Sequence, residues 1–234
     1  MMMAMKFFQP NLRLSRALEF DIWRESNLVE SYGTSREGLA LAAVRRGFRV
    51  YTMGRHLRYS FVDVIHDKIP DIDYGVLELL YKDTRAKFRA MGLRNVARDV
   101  ELATIRELVK KSHLPILFTS TSLFGEKKDP LPHWVIVTGC SREDWYLNNP
   151  LGRSPQARVN RKQLESNLGY RGVRCAVVVA GQKAEAGEAK GAFNAATAHA
   201  VEAKLANRHL LLAGFTRQNI LQLTGVRKIG ELRR

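Results

Sequence analysis

The 234-residue sequence has few cysteines, a shortage of acidic residues and no long apolar run. Its two cysteines, Cys140 and Cys175, cannot form the disulfide framework of a small secreted protein, and they fit a reducing cytosol. No apolar run approaches the ~20 residues that a membrane-spanning helix needs. The first residues, MMMAMKFFQP, lack a basic segment followed by a long apolar one. We therefore expect neither a membrane span nor a secretory signal, and a cytoplasmic location.

The shortage of acidic residues leaves a strongly basic chain. Lys and Arg number 38 against 23 Asp and Glu, which gives a formal net charge of +15. Such a charge favours acidic partners, so nucleic acid has to be considered. The basic residues are spread along the chain, however, and no block of five occurs. We treat a basic nucleic-acid-associated protein, with contacts made by the C-terminal tail, as an unlikely alternative whose affinity would fall steeply with salt.

Residues suited to a metal or a cofactor are also scarce. No cysteine pair exists for zinc, and His56, His66 and His113 have no partner at metal-ligand spacing. Nothing in the sequence resembles a Walker motif. We expect neither a metal nor a cofactor.

Apolar spacing predicts helices first and strands afterwards. The helical segments are residues 1–8, 12–23, a stretch that a Thr34–Glu37 capping box opens and Gly47 ends, 74–91 and 102–109. Strands are predicted at 48–53, 115–119, 134–138, 144–147 and 173–180, with a helical turn at 162–167. This order predicts an α+β fold with a largely antiparallel sheet.

The composition changes at Gly181, where Ala, Lys, Glu and Gly become frequent. We expect one domain over residues 1–180. Residues 181–234 would form a basic tail, partly helical (over 194–212) or disordered.

A histidine at the head of an apolar strand is followed sixteen residues later by an Asn-Pro turn, in the segment HWVIVTGCSREDWYLNNP. A strand, a turn and a returning strand bring the two ends of such a segment together. We therefore expect His133 and Asn149 to be neighbours. An amide on one imidazole nitrogen fixes the tautomer, which leaves the other nitrogen to act as a base, and Cys-His-Asn is a known triad.

These stretches resemble the bacteriocin-leader-processing cysteine peptidases, family C-39, and their free-standing bacterial relatives. HWVIVTG is similar to the histidine strand of that family, and Asn149-Pro150 stands where the family usually has Asp-Pro. The first helices and GLALAAVRRGF extend the resemblance over roughly residues 1–180. It implies a papain-like fold, a peptide or protein substrate and thiol-dependent peptide-bond hydrolysis. His133 would be the catalytic base and then the acid, and Asn149 would orient it.

The chain departs from the family at the nucleophile. The family has a Gln and a Cys-Gly at the start of its first helix, and the matching helix here begins at Met1. Cys140 lies seven residues beyond His133, which is about 23 Å along a strand, with opposite side-chain parity. Cys175 lies among valines and should pack in the core. We expect neither cysteine to be the nucleophile, and the chain as it stands to be inactive.

Two explanations fit the missing thiol. The chain could be a fragment, truncated at its N-terminus, whose complete form supplies Gln and Cys upstream; we favour this because the first helix has no N-cap. Alternatively, it is a pseudo-peptidase that binds an extended peptide without cutting it.

Overall fold

The computed structural model describes residues 1–29, 32–55, 61–66, 71, 73–125, 128, 130–150 and 156–182. The tail from residue 183 onward, with the helix expected over 194–212, lies outside the described residues, so the domain boundary at residue 181 stays a prediction. In the described part of the chain, no helix is both long enough and apolar enough to cross a membrane.

The described elements form an α+β domain. The helices are α1 (Met2–Phe8), α2 (Arg16–Ser26), α3 (Arg36–Val44), α4 (Phe61–His66), α5 (Tyr74–Ala90), α6 (Leu102–Lys110) and α7 (Arg161–Ser166). The strands are β1 (Asn27–Val29), β2 (Tyr32–Thr34), β3 (Phe48–Met53), β4 (Asn95–Val96), β5 (Leu114–Ser120), β6 (Pro132–Cys140), β7 (Asp144–Asn148), β8 (Gln156–Asn160) and β9 (Ala176–Gln182).

Seven strands form one mixed sheet in the order β4-β3-β9-β5-β6-β7-β8. The neighbouring strands pair antiparallel except β3 and β4, which are parallel. The largely antiparallel sheet predicted from the order of helices and strands is therefore confirmed. The strands β6 and β7, which are neighbours in the sheet, carry the segment from His133 to Asn148, and Asn149 follows directly after β7.

Both faces of the sheet are covered by apolar side chains, because successive residues of a strand point to opposite faces. One face packs against α1, α2, α3 and Phe88 of α5. The opposite face packs against α6 and α7, and its largest fully buried side chain is Trp145 of β7. The sheet therefore separates two hydrophobic cores.

Helix α3 is buried along its whole length. Ser35 is its N-cap, and the Ser35 side chain accepts a hydrogen bond from the Gly38 backbone at 2.9 Å. The capping box predicted at Thr34 and Glu37 is therefore wrong by one residue: Thr34 belongs to β2, and the Glu37 carboxylate binds Arg36. A complete capping box is present elsewhere, between Asn160 and Gln163 at the start of α7.

Two further predictions need correction. Helix α2 begins at Arg16 rather than at Leu12, because the Ser15 hydroxyl caps it by accepting a bond from the Leu18 backbone at 3.2 Å. The strand β8 was not predicted, since its alternation consists of only two apolar residues, Ala157 and Val159, of which Val159 alone is buried. The ends of α3 and α5 agree with prediction: Gly47 and Gly92 follow them with φ of 79° and 69°, which glycine adopts without steric cost.

Candidate functional site

His133 is the second residue of β6. It pairs with Thr119 of β5, and the Thr119 hydroxyl donates to the His133 carbonyl oxygen at 3.2 Å. Because side chains alternate along a strand, the imidazole points to the same face of the sheet as Val135 and Val137. Only 8% of His133 is exposed, because β6 lies between β5 and β7 and the imidazole lies over the core on this face of the sheet.

Asn149 is the first residue after β7, and 8% of it is exposed. The register of β6 and β7 pairs Ile136 with Asn148, so Asn149 lies diagonally across from His133 on the same face. The Asn149 Oδ1 atom is 2.8 Å from His133 Nε2. The prediction that this hairpin makes the two residues neighbours is confirmed.

The contact determines which imidazole nitrogen carries the proton. An amide oxygen only accepts hydrogen bonds, so Nε2 of His133 must donate to Asn149 Oδ1. The neutral imidazole then keeps its lone pair on Nδ1, which has no hydrogen-bond partner among the described residues. Burial lowers the pKa of His133, and the bond to Asn149 opposes that shift in part. The arrangement is that of a neutral imidazole with Nδ1 ready to take up a proton.

The strand that carries His133 has aromatic contacts on both of its faces. The Phe124 ring meets the His133 imidazole edge to face, with the centroids 6.0 Å apart. On the other face of the sheet, Trp134 packs against Phe118 and donates from Nε1 to the Thr34 carbonyl oxygen at 2.9 Å. This bond joins the histidine strand to the residue that precedes the N-cap of α3. The sequence analysis did not identify either role, because both contacts connect segments that are distant or irregular in sequence.

Neither cysteine in the chain is placed as a nucleophile for His133. Cys175 is 4% exposed in a core cluster with Phe118 and Tyr81, and burial raises the pKa of its thiol to about 12. Its predicted place in the core is confirmed. Such a thiol stays protonated at neutral pH, and the thiolate is the reactive form.

Cys140 is the last residue of β6, at the end remote from His133. A register shift between Val137 and Gly139 makes Cys140 pair with Trp145, and Cys140 packs against the cluster that contains Trp145. Cys140 therefore lies on the same face of the sheet as His133. The expectation that the two residues lie on opposite faces is wrong, because this β-bulge changes the alternation of side chains along β6. Cys140 is still seven residue steps from His133, which is about 23 Å along an extended strand.

A buried polar cluster lies on the α3 side of the sheet. Arg36 Nε donates to Glu37 Oε1 at 2.8 Å, and the Tyr81 hydroxyl is 3.3 Å from Glu37 Oε2. All three residues are less than 10% exposed. No sequence pattern indicated this cluster, since charged side chains normally indicate a solvent-exposed helix start.

No group of three His, Cys, Asp or Glu side chains that could hold a metal ion is present among the residues that the structure describes. His56 lies outside them. His66 packs against Tyr74, and His113 packs against Tyr51.

A surface cavity of about 350 Å³ lies near the other edge of the sheet, between β3, β4 and α6. Its lining includes Tyr51 and Leu108 but neither His133 nor Asn149. It mixes three cationic side chains with two carboxylates, so its charge selects no ligand.

A family model described as "Peptidase_C39 like family" matches residues 1–168, a stretch that includes both His133 and Asn149. The chain belongs to this family. The resemblance drawn from the histidine strand and the first helices is thereby confirmed at the level of the family. No curated protein and no solved structure matches the chain.

Proposed function

We propose that this domain is a papain-like, thiol-dependent peptidase module in which His133 is the general base and Asn149 the residue that orients it. The observation that carries the proposal is the buried 2.8 Å contact between His133 Nε2 and Asn149 Oδ1 in a member of a C-39-like peptidase family. The substrate would be a peptide or a segment of a protein, and the reaction hydrolysis of an amide bond in a cytoplasmic setting.

The chemistry assigns one task to each atom of the pair. Nδ1 of His133 takes the proton of a thiol, and the resulting thiolate attacks the carbonyl carbon of the scissile peptide bond. The imidazolium then returns the proton to the leaving amine, which leaves an acyl-enzyme that water hydrolyses. Asn149 holds Nε2–H throughout, so that Nδ1 keeps its lone pair directed at the thiol.

Asn149 stabilises the protonated form of His133 less than a carboxylate in its place would. A neutral amide adds no negative charge beside the imidazolium, so the charged form of His133 gains one hydrogen bond but no ion pair. Replacing Asn149 with Asp should therefore raise the pKa of His133.

The 234 residues taken alone would bind peptides without cutting them, because Cys175 is buried and Cys140 is at the far end of β6. This is the pseudo-peptidase form of the proposal. A thiol in a longer form of the protein, at the start of the first helix as in the family, would convert the same His–Asn pair into an active site.

The test compares His133→Gln with His113→Gln, a second histidine whose pKa is lowered by burial but whose Nδ1 has no hydrogen-bond partner among the described residues. The intact mass and N-terminal sequence of the protein isolated from its source establish which cysteines are present. Iodoacetamide labelling at pH 6, with the sites read by mass spectrometry, then reports any thiol that is held as a thiolate. Hydrolysis of a fluorogenic peptide library is measured in parallel.

If the native protein carries an additional cysteine, we expect fast labelling of that residue and peptide hydrolysis, both lost in His133→Gln and kept in His113→Gln. If it begins at Met1, we expect no hydrolysis and slow labelling of Cys140 alone. Labelling of the additional cysteine that is equally fast in His133→Gln would overturn the role of His133. Hydrolysis that depends on Cys140 or Cys175 would overturn the view that neither cysteine is a nucleophile.

A further inference from the structure

A short 3-10 turn, Thr121–Phe124, joins β5 to the segment that leads into β6. Two hydrogen bonds close the base of this connection: the Thr121 amide donates to the Leu131 carbonyl oxygen at 2.9 Å, and the Leu131 amide donates to the Thr121 side-chain hydroxyl at 2.8 Å. Gly125 ends the turn with φ of 99°, a left-handed conformation that favours glycine. The position of Phe124 is therefore determined by the backbone around it.

The turn directs Phe124 onto the imidazole. Its ring is almost perpendicular to that of His133, at 86°, and the centroids are 6.0 Å apart. Phe124 is half-buried and packs against the core that contains Val135 and Leu147. One side of the phenyl ring thus contacts the protein and the His133 ring, while the rest of it faces water.

We propose that Phe124 is a positioning residue for His133, whose ring excludes water from the imidazole and from its hydrogen bond to Asn149. This inference rests on the proposed function, because it assigns Phe124 a task in keeping His133 a correctly oriented base. Without the ring, water could compete with the amide for Nε2–H, and the imidazole could rotate or change tautomer.

The surroundings of His133 make an apolar cover effective. Thr119 from β5, Phe124 from the turn and Asn149 after β7 are all uncharged, and the described charged residue nearest in sequence, Lys128, is exposed. Burial and the bond to Asn149 are the two influences on the pKa of His133. Because no described charged group is among these influences, removing an apolar cover should act directly on the protonation of this imidazole.

The test is a ¹⁵N-histidine NMR titration of the full 234-residue chain, which measures the imidazole whether or not the protein hydrolyses peptides. Three variants are compared with the wild type: Phe124→Ala, Phe124→Leu, which keeps an apolar cover, and Phe20→Ala, an exposed aromatic on α2 as the matched control. We expect the pKa of His133 to rise toward the value of an exposed histidine in Phe124→Ala. In Phe124→Leu and Phe20→Ala it should stay lowered.

The Nε2–H resonance of the wild type provides a second readout that needs no variant. A shielded Nε2–H exchanges slowly with water and stays visible above pH 7, whereas an exposed imidazole loses the signal. Rapid exchange in the wild type would overturn the proposal even if Phe124→Ala failed to fold. An unchanged pKa in a folded Phe124→Ala would overturn it as well. Neither result depends on hydrolysis, so both are separate from a failure of the proposed function.

Discussion

Replacing Asn149 with alanine removes the oxygen that accepts the hydrogen bond from Nε2 of His133. Both residues are 8% exposed, so the donor that remains is buried. A buried donor that loses its partner typically costs about 1–3 kcal/mol, more than the net gain of an ordinary hydrogen bond. We expect Asn149→Ala to lower the free energy of unfolding by about that amount, measured by urea denaturation at pH 7.

The neighbouring Asn148 offers a matched control. Its side-chain oxygen is buried and has no partner among the described residues. Asn148→Ala therefore removes an unsatisfied acceptor from an adjacent position of the same hairpin, and should not lower the free energy of unfolding by more than about 0.5 kcal/mol. If Asn149→Ala costs no more than Asn148→Ala, the hydrogen bond to His133 contributes nothing measurable.

A double-mutant cycle separates this bond from the other contacts of Asn149. His133→Ala, Asn149→Ala and the double variant together give the coupling energy between the two side chains, for which groups in direct contact show about 0.5–3 kcal/mol. The same variants report on the tautomer: in Asn149→Ala the ¹⁵N spectrum of His133 should show a mixture of Nε2–H and Nδ1–H forms in place of Nε2–H alone. A coupling energy of zero, together with an unchanged tautomer, would refute the assignment of Asn149 as the orienting residue.

Three further predictions concern stability, measured by urea denaturation. A methyl group at Gly38 would overlap the backbone carbonyl of the last residue of α2, so Gly38→Ala should lower the free energy of unfolding by about 1–3 kcal/mol, although alanine favours helix formation. Gly139→Ala is the control, because a methyl group there meets only an ordinary van der Waals contact and should be tolerated. Trp145→Ala should cost about 3–5 kcal/mol, because the side chain is fully buried, and Trp23→Ala, 41% exposed, much less. The lowered pKa of His133 favours its neutral form, so its contribution to stability is complete above about pH 6.5 and is lost as the pH falls through the folded-state pKa. Between pH 7.5 and 5, the free energy of unfolding should therefore fall less steeply with decreasing pH in His133→Gln than in the wild type. An equal slope in the two proteins would contradict this.

The longer helices were predictable because their signals are local, whereas the short α4 was not predicted. Apolar residues three and four apart locate α5 and α6 to within a residue or two, and the following Gly92 marks the end of α5. The helix starts were less well predicted. At α3, both Thr34 and Ser35 carry a hydroxyl that could cap the helix, and only the packing of α3 decides which hydroxyl accepts a bond from a free backbone amide. An edge strand such as β8 gave too weak an alternation to be recognised.

Local patterning was enough to predict that His133 and Asn149 lie close, since they stand on two strands joined by a short turn. The bulge in β6 then sets the register that puts both side chains on one face of the sheet. Packing of the other segments sets what surrounds them. The bulge in β6 moved Cys140 to the face that carries His133, the turn after β5 brought Phe124 onto the imidazole, and α3 placed Thr34 against Trp134. These contacts depend on register shifts and on the packing of distant segments, which no local pattern of side chains records.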